Sequence, residues 1–145
     1  MASAKAPTLL PQSPYLAFMG LKIEKRNRGR VTMSLQIRRK HRSRLGRLHG
    51  GVLAGLVESA GASAAFSTVY PKSWCLTMQV SMNFLASVTS GRLTAVGKVV
   101  HHGSRTLVSD VRVTCGGKTI ATGTVTSMQF PLNGSKSPKG RKAAR

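Results

Sequence analysis

Gly50 to Val69 reads GGVLAGLVESAGASAAFSTV, a stretch whose one charged residue is Glu58. Val52, Leu53, Leu56, Val57 and Ala60 fall at the three- and four-residue spacing of one helix face. Ala54, Gly55, Glu58, Gly61, Ala62 and Ala65 make a second face of small side chains. A helix this apolar is predicted to be buried, with small residues that let a sheet wrap closely around it. Gly51, Gly55 and Gly61 would each weaken an isolated helix by about 1 kcal/mol, so tertiary packing must hold it. Pro71 ends the segment.

Outward from this helix the pattern changes to period two, the mark of half-buried strands. Val31, Met33, Leu35 and Ile37 alternate with polar residues before the helix, and Leu76, Met78, Val80, Met82 and Phe84 alternate after it. Arg92 to His102, Leu107 to Cys115 and Thr119 to Phe130 follow, the last two joined by Gly116-Gly117, a two-residue hairpin turn. His102-Gly103 reads as a turn. Leu21 to Lys25 adds a short first strand, and a helix over Tyr15 to Met19, stopped by Gly20, precedes it. The fold class is α+β: an antiparallel sheet of five to six strands around a long central helix. The short connections imply a meander.

The chain has 145 residues, with 23 Lys and Arg against 3 Asp and Glu, a formal charge of +20. That length fits one domain, expected over residues 14–132, and a 41% hydrophobic share excludes a wholly disordered basic protein. Residues 1–13 are expected to be a flexible arm, without the arginines of a transit peptide or the apolar core of a secretory signal. Residues 133–145, with Lys136, Lys139, Arg141, Lys142 and Arg145, read as a disordered basic tail. No uninterrupted apolar run has the length of a membrane span, so no membrane insertion is expected. Cys75 and Cys115 lack metal-site spacing and are too few for a disulfide scaffold, which points to a reducing, cytoplasmic setting. Any mechanism needing a carboxylate must choose among Glu24, Glu58 and Asp110.

Glu24, among Lys22, Lys25 and Arg26, reads as a solvated surface acid, and Asp110, with Arg112 on its strand face, as half of a cross-strand ion pair. Glu58 is different. A carboxylate inside an apolar helix costs several kcal/mol unless paired, solvated or protonated, and positions 54, 55, 61 and 62 offer it no cation. Just before it, His49-Gly50-Gly51 opens the helix, where free N–H groups and the positive dipole end favour negative charge. Glycine there lets a ligand approach the backbone, and an N–H aimed at a carbonyl oxygen is the start of an oxyanion site. Eight residues separate Gly50 from Glu58, about 12 Å along one helix. The two can serve one reactive centre only if Glu58 comes from a second, antiparallel copy of the helix.

His49-Gly50-Gly51-Val52-Leu53-Ala54 with Glu58 nine residues after the histidine resembles the hotdog-fold acyl-CoA thioesterases, most closely the phenylacetic-acid-degradation and 4-hydroxybenzoyl-CoA branch. Val80 to Leu85, Ser90-Gly91, His102 to Arg105 and Ala121-Thr122-Gly123 extend the resemblance over about Pro14 to Phe130. It implies homodimers that pair into tetramers as dimers of dimers, an acyl-CoA substrate and no further cofactor. The Gly50 N–H would polarise the thioester carbonyl, and Glu58 of the neighbouring subunit would act as base on water or as nucleophile. His49 would orient the thioester or the product carboxylate, with Gly51 beside it. His102, Ser104 and Arg105 would meet the nucleotide or pantetheine of CoA. Many relatives carry Ser or Thr four residues after the acid, where this chain has Ala62; Ser59 and Ser63 point elsewhere, and Thr77 on the following strand offers the hydroxyl instead. Some carry Gln where Ser43 stands.

Adjacent His101 and His102 point to opposite strand faces, a poor metal pair, so no metal is expected. Cys75 and Cys115 read as ordinary strand thiols, and Tyr70 and Trp74 as core or rim. The rival reading is a non-catalytic protein binding acyl-CoA, or a polyanion such as nucleic acid, through the basic strip from Lys22 to Arg47. Aromatics are 5% and none interleave with that strip, so nothing resembles a base-reading module.

Overall fold

A computed structural model describes residues 13–132. Its centre is α2, Gly50–Val69, on the boundaries its apolar spacing predicts. Ahead of it come α1 (Pro14–Met19), β1 (Leu21–Asn27) and β2 (Arg30–Gln36); behind it come β3 (Ser73–Phe84), β4 (Arg92–His102), β5 (Thr106–Cys115) and β6 (Lys118–Pro131). Ser13, assigned by sequence to the arm, caps α1 by accepting the Leu16 N–H, and Gly20 closes that helix in the left-handed region. The rest of the expected arm, and the expected basic tail from residue 133 on, lie outside the described residues.

All six strands form one antiparallel sheet in the order β1-β2-β4-β5-β6-β3. This corrects the expected meander. β4, β5 and β6 do run as consecutive hairpins, but β3 pairs with β6 at the far edge, in register from Ser73 opposite Pro131 to Phe84 opposite Ala121. Alternation says which face a strand buries and nothing about its neighbour. The chain crosses from β3 to β4 through residues 85–91, pinned by the Leu85 and Ala86 N–H groups on the Ile120 carbonyl. The Val88 carbonyl accepts from Leu48 and the Gly91 carbonyl from Ile37.

The sheet curves around α2. Leu56, Val57, Ala60 and Ala64 of the helix are fully buried against Met33, Leu35, Leu93, Ala95, Val113 and Val125. The approach is close enough that a Cβ at Gly97 would collide with the Ala60 carbonyl, which explains the small residues on both sides of the contact. α2 is long and apolar enough to cross a membrane by length and composition, although Glu58 interrupts its apolar run. Here the sheet accounts for that apolarity: α2 is the core helix.

The two sheet edges differ. β1 carries Lys22, Glu24, Lys25 and Arg26 along one margin, and the sequence continues through Arg28 and Arg30. β3 exposes Leu76 (57%), Met78 (63%) and Phe84 (58%) along the other.

Candidate functional site

The site begins at the start of α2. His49 is the cap, with extended backbone, and its Nδ1 accepts the Gly51 N–H at 2.9 Å. Its carbonyl accepts the Val52 N–H at 3.0 Å. Of the donors at this helix start, these bonds leave the Gly50 N–H unclaimed by the cap. The N–H of Gly51, a residue expected beside the substrate, is bonded to the histidine. Because Nδ1 is an acceptor, the proton of a neutral His49 ring sits on Nε2, where it can donate to an oxygen.

Gly50 lines a cavity of about 420 Å³ with Leu48, Leu53, Phe84, Leu85 and Val88. The Phe84 ring lies against it, 3.3 Å from where a Cβ would stand. An open backbone donor thus sits at the mouth of an apolar cleft. Alternation places Phe84 on a strand face but gives no hint that the face abuts Gly50, so its part in the site was missed from sequence.

Glu58 lies two turns further along α2, half-buried. Thr77 Oγ1, from β3, donates to its Oε1 at 2.7 Å, while Ser59 Oγ stands 3.5 Å from Oε2. Thr77, expected to offer a hydroxyl where Ala62 has only a methyl group, gives that hydroxyl to the carboxylate itself. Among the described residues the one ion pair is Arg92 with Glu24, so no cation neutralises Glu58. Its charge reaches Cys75: burial, and then the Glu58 carboxylate, push that thiol up to about 11. Further on, Phe66, Tyr70 and Trp74 close the helix end, with Phe66 centred 4.9 Å from Tyr70 and 5.0 Å from Trp74.

His102, Ser104 and Arg105 sit on the β4–β5 turn, closed by the Gly103 N–H on the Thr106 carbonyl at 2.9 Å. Gln129 of β6 fixes this turn: its side-chain nitrogen donates to the Gly103 and Ser104 carbonyls at 2.8 and 2.9 Å. Leu107, at the base of the turn, packs with Ala65 and Val69, so the turn belongs to the C-terminal half of α2. One chain therefore does not bring Gly50, Glu58 and the turn together.

The other two acids need correction. Asp110 makes no cross-strand ion pair among the described residues, although Lys98 of β4 stands opposite it; it accepts from Thr124 Oγ1 of β6 at 3.0 Å, while Arg112 donates to Thr119. Of the two residues opposite Asp110 on the flanking strands, the short Thr124 hydroxyl of β6 takes the carboxylate, and the Lys98 ammonium of β4 does not reach it. Glu24 is not simply solvated: Arg92 at 2.6 Å and Ser34 at 2.5 Å hold it, and the Ser34 bond, then Arg92, keep its carboxyl below the usual range.

His41, unremarked among the arginines of its segment, is 2% exposed. Its Nδ1 accepts the Arg38 N–H at 3.0 Å, and Nε2 lies 2.9 Å from the Met19 carbonyl, which places the ring proton on Nε2. The His41 carbonyl in turn accepts the His49 N–H at 2.9 Å. This ring ties the end of α1 and the segment after β2 to the residue before Gly50.

Comparison with known proteins agrees with this architecture. The thioesterase superfamily model matches residues 45–122, which run from just before the cap of α2 into β6. An esterase of Pseudomonas aeruginosa, PA1618, is 31% identical over 118 residues, covering 80% of this chain and 81% of that one. The 1,4-dihydroxy-2-naphthoyl-CoA hydrolase of Listeria monocytogenes is 29% identical over 96 residues, covering 66% of this chain and 78% of its own. The solved PaaI protein of the E. coli phenylacetic acid degradation operon superposes with a TM-score of 0.76 at 23% identity, over 81% of this chain and 85% of that one, a likeness of fold. A six-stranded antiparallel sheet around one long helix is the hotdog fold, and with these relatives the chain belongs to the thioesterase superfamily.

Proposed function

We propose that this protein is an acyl-CoA thioesterase of the phenylacetic-acid-degradation and 4-hydroxybenzoyl-CoA type, hydrolysing an acyl- or aryl-CoA to the free acid and CoA. That it is a thioester hydrolase follows from its family. The observation that carries the finer reading is Glu58: a half-buried carboxylate on the most apolar helix, without a cation, oriented by Thr77 at 2.7 Å. A free-standing acid so placed suits attack on a thioester better than a structural role.

The site is composite. Gly50 and Glu58 of one chain are about 12 Å apart, and the apolar β3 edge supplies the means of joining two copies. Antiparallel pairing of two β3 strands about a twofold axis near Val80 and Ser81 sets the Thr77 end of one protomer's strand beside the Phe84 end of the other's. Glu58 is bonded to Thr77 and Gly50 abuts Phe84, so this register brings one protomer's carboxylate toward the other's open N–H. The Gly50 N–H polarises the thioester carbonyl, and His49 Nε2–H donates to the same oxygen or to the product carboxylate. Glu58 either takes a proton from the attacking water or attacks the carbonyl itself to give a mixed anhydride that water opens. In both courses the C–S bond breaks, the CoA sulfur leaves as thiolate and takes up a proton, and the acid is released. The β4–β5 turn, with His102, Ser104 and Arg105, meets the CoA moiety, where Arg105 suits phosphate. Pairing of two such dimers into a tetramer, and a cytoplasmic setting, belong to the same proposal.

Hydrolysis of a panel of acyl- and aryl-CoA esters by wild type and Glu58→Ala tests it. A loss of at least a hundredfold in kcat for Glu58→Ala is expected; equal rates overturn the assignment. Absence of all hydrolysis, with tight salt-sensitive binding to DNA, would favour the polyanion-binding alternative.

A further inference from the structure

On the outer face of the sheet, away from α2, a second cleft of about 390 Å³ opens between β1, the start of β4 and the segment after β2. Lys22, Arg38, Lys40 and Arg92 line it, against a single acid, Glu24. That acid is already engaged by Arg92 and Ser34. Lys40 is partly occupied, its ammonium on the Phe18 carbonyl and over the Phe18 ring. Lys22 and Arg38 have no acid within ion-pair reach among the described residues.

Two polar groups in the lining are buried, which distinguishes this cleft from a scatter of surface charges. Ser34, 3% exposed, donates to Glu24 and accepts from Arg92. His41, 2% exposed, holds the Arg38 backbone through Nδ1 and the end of α1 through Nε2. The cations are thus mounted on fixed backbone. Guanidinium- and ammonium-bearing residues lining one concavity, with a single acid among them, match a compact dianion.

We propose that this cleft is an anion site for a phosphate monoester group, gripped by Arg38 and Lys22 with support from Arg92. The binding claim stands apart from the thioester reaction. The phosphate can belong to a free phosphorylated metabolite or to CoA itself; the cleft is tied to the candidate active site by the His41 carbonyl, which accepts the His49 N–H next to Gly50.

Titration calorimetry on the full chain at low ionic strength, with inorganic phosphate and with adenosine 3′,5′-bisphosphate as probes, tests the site. Lys22→Gln/Arg38→Gln, two exposed positions, is expected to weaken binding of either probe at least tenfold. Glu24→Gln, which removes the only acid, is expected to tighten it. Lys98→Gln/Arg112→Gln, taken from the other cationic patch of the outer face, is expected to change it less than threefold. Equal weakening by the two double variants would mean a diffuse field and overturn the site, as would binding untouched by Lys22→Gln/Arg38→Gln. The KM for a CoA ester separates the sources: a rise parallel to the loss of phosphate affinity identifies CoA's own phosphate, and an unchanged KM identifies a separate ligand.

Discussion

Thr77 Oγ1 donates to Glu58 Oε1 across 2.7 Å, so a strand hydroxyl and a helix carboxylate are held as one unit. A hydrogen bond to a charged group contributes about 1.5–3 kcal/mol. Thr77→Val should therefore lower kcat by roughly 10- to 100-fold, and Thr77→Ser should restore most of it. Steady-state kinetics on a CoA ester checks this, with Glu58→Ala as the floor; full activity in Thr77→Val would show that the bond is structural only.

The β3 edge makes a separate claim on assembly. Met78→Asp with Val80→Asp places charge on the exposed apolar margin without touching the core. Sedimentation should show a monomer of native circular dichroism, and activity should fall at least a hundredfold because Gly50 and Glu58 no longer meet. An active monomer would contradict the composite site.

Where helix and sheet touch most closely, space is the constraint. Gly97→Ala drives a methyl group into the Ala60 carbonyl, and such overpacking costs about 1–3 kcal/mol. Urea unfolding should register that loss as a lower midpoint for Gly97→Ala than for wild type.

Cys75 offers a pH-dependent readout. Its thiol, raised to about 11 from an ordinary 9.0 first by burial and then by Glu58, stays protonated in the fold when an unfolded chain would already ionise it. The contribution to stability is present below pH 9 and disappears as pH rises from there toward 11. Iodoacetamide labelling of Cys75 in a Cys115→Ser background should climb along that high-pH curve, and Glu58→Gln should shift it to lower pH.

The helix and most strand boundaries could be read because burial imposes period: Val52 to Ala60 at helical spacing, and the β-branched alternation of β5 and β6. Strand order could not, since the register that pairs β3 with β6 depends on a crossing that leaves no periodic trace. Glu58 stood out by lacking a partner, and Thr77 by being a nearby hydroxyl. Phe84 and His41 were hidden by their company, one being an apolar residue in an apolar strand and the other a histidine among arginines. Their roles come from contacts with Gly50 and Met19, distant in sequence. Asp110 was misread because two threonine hydroxyls compete for the charges on its strand.

In the proposed dimer the unlike margins of the sheet would make growth self-limiting. An unpaired strand edge is a template for another chain, and once two β3 edges have found each other, the only edges left facing outward are the two β1 strands. Lys22, Lys25 and Arg26 on each repel a third sheet, so strand addition stops at a closed pair instead of running on into a fibre. In that proposed dimer, part of the chain's surplus of positive charge would act as a terminator.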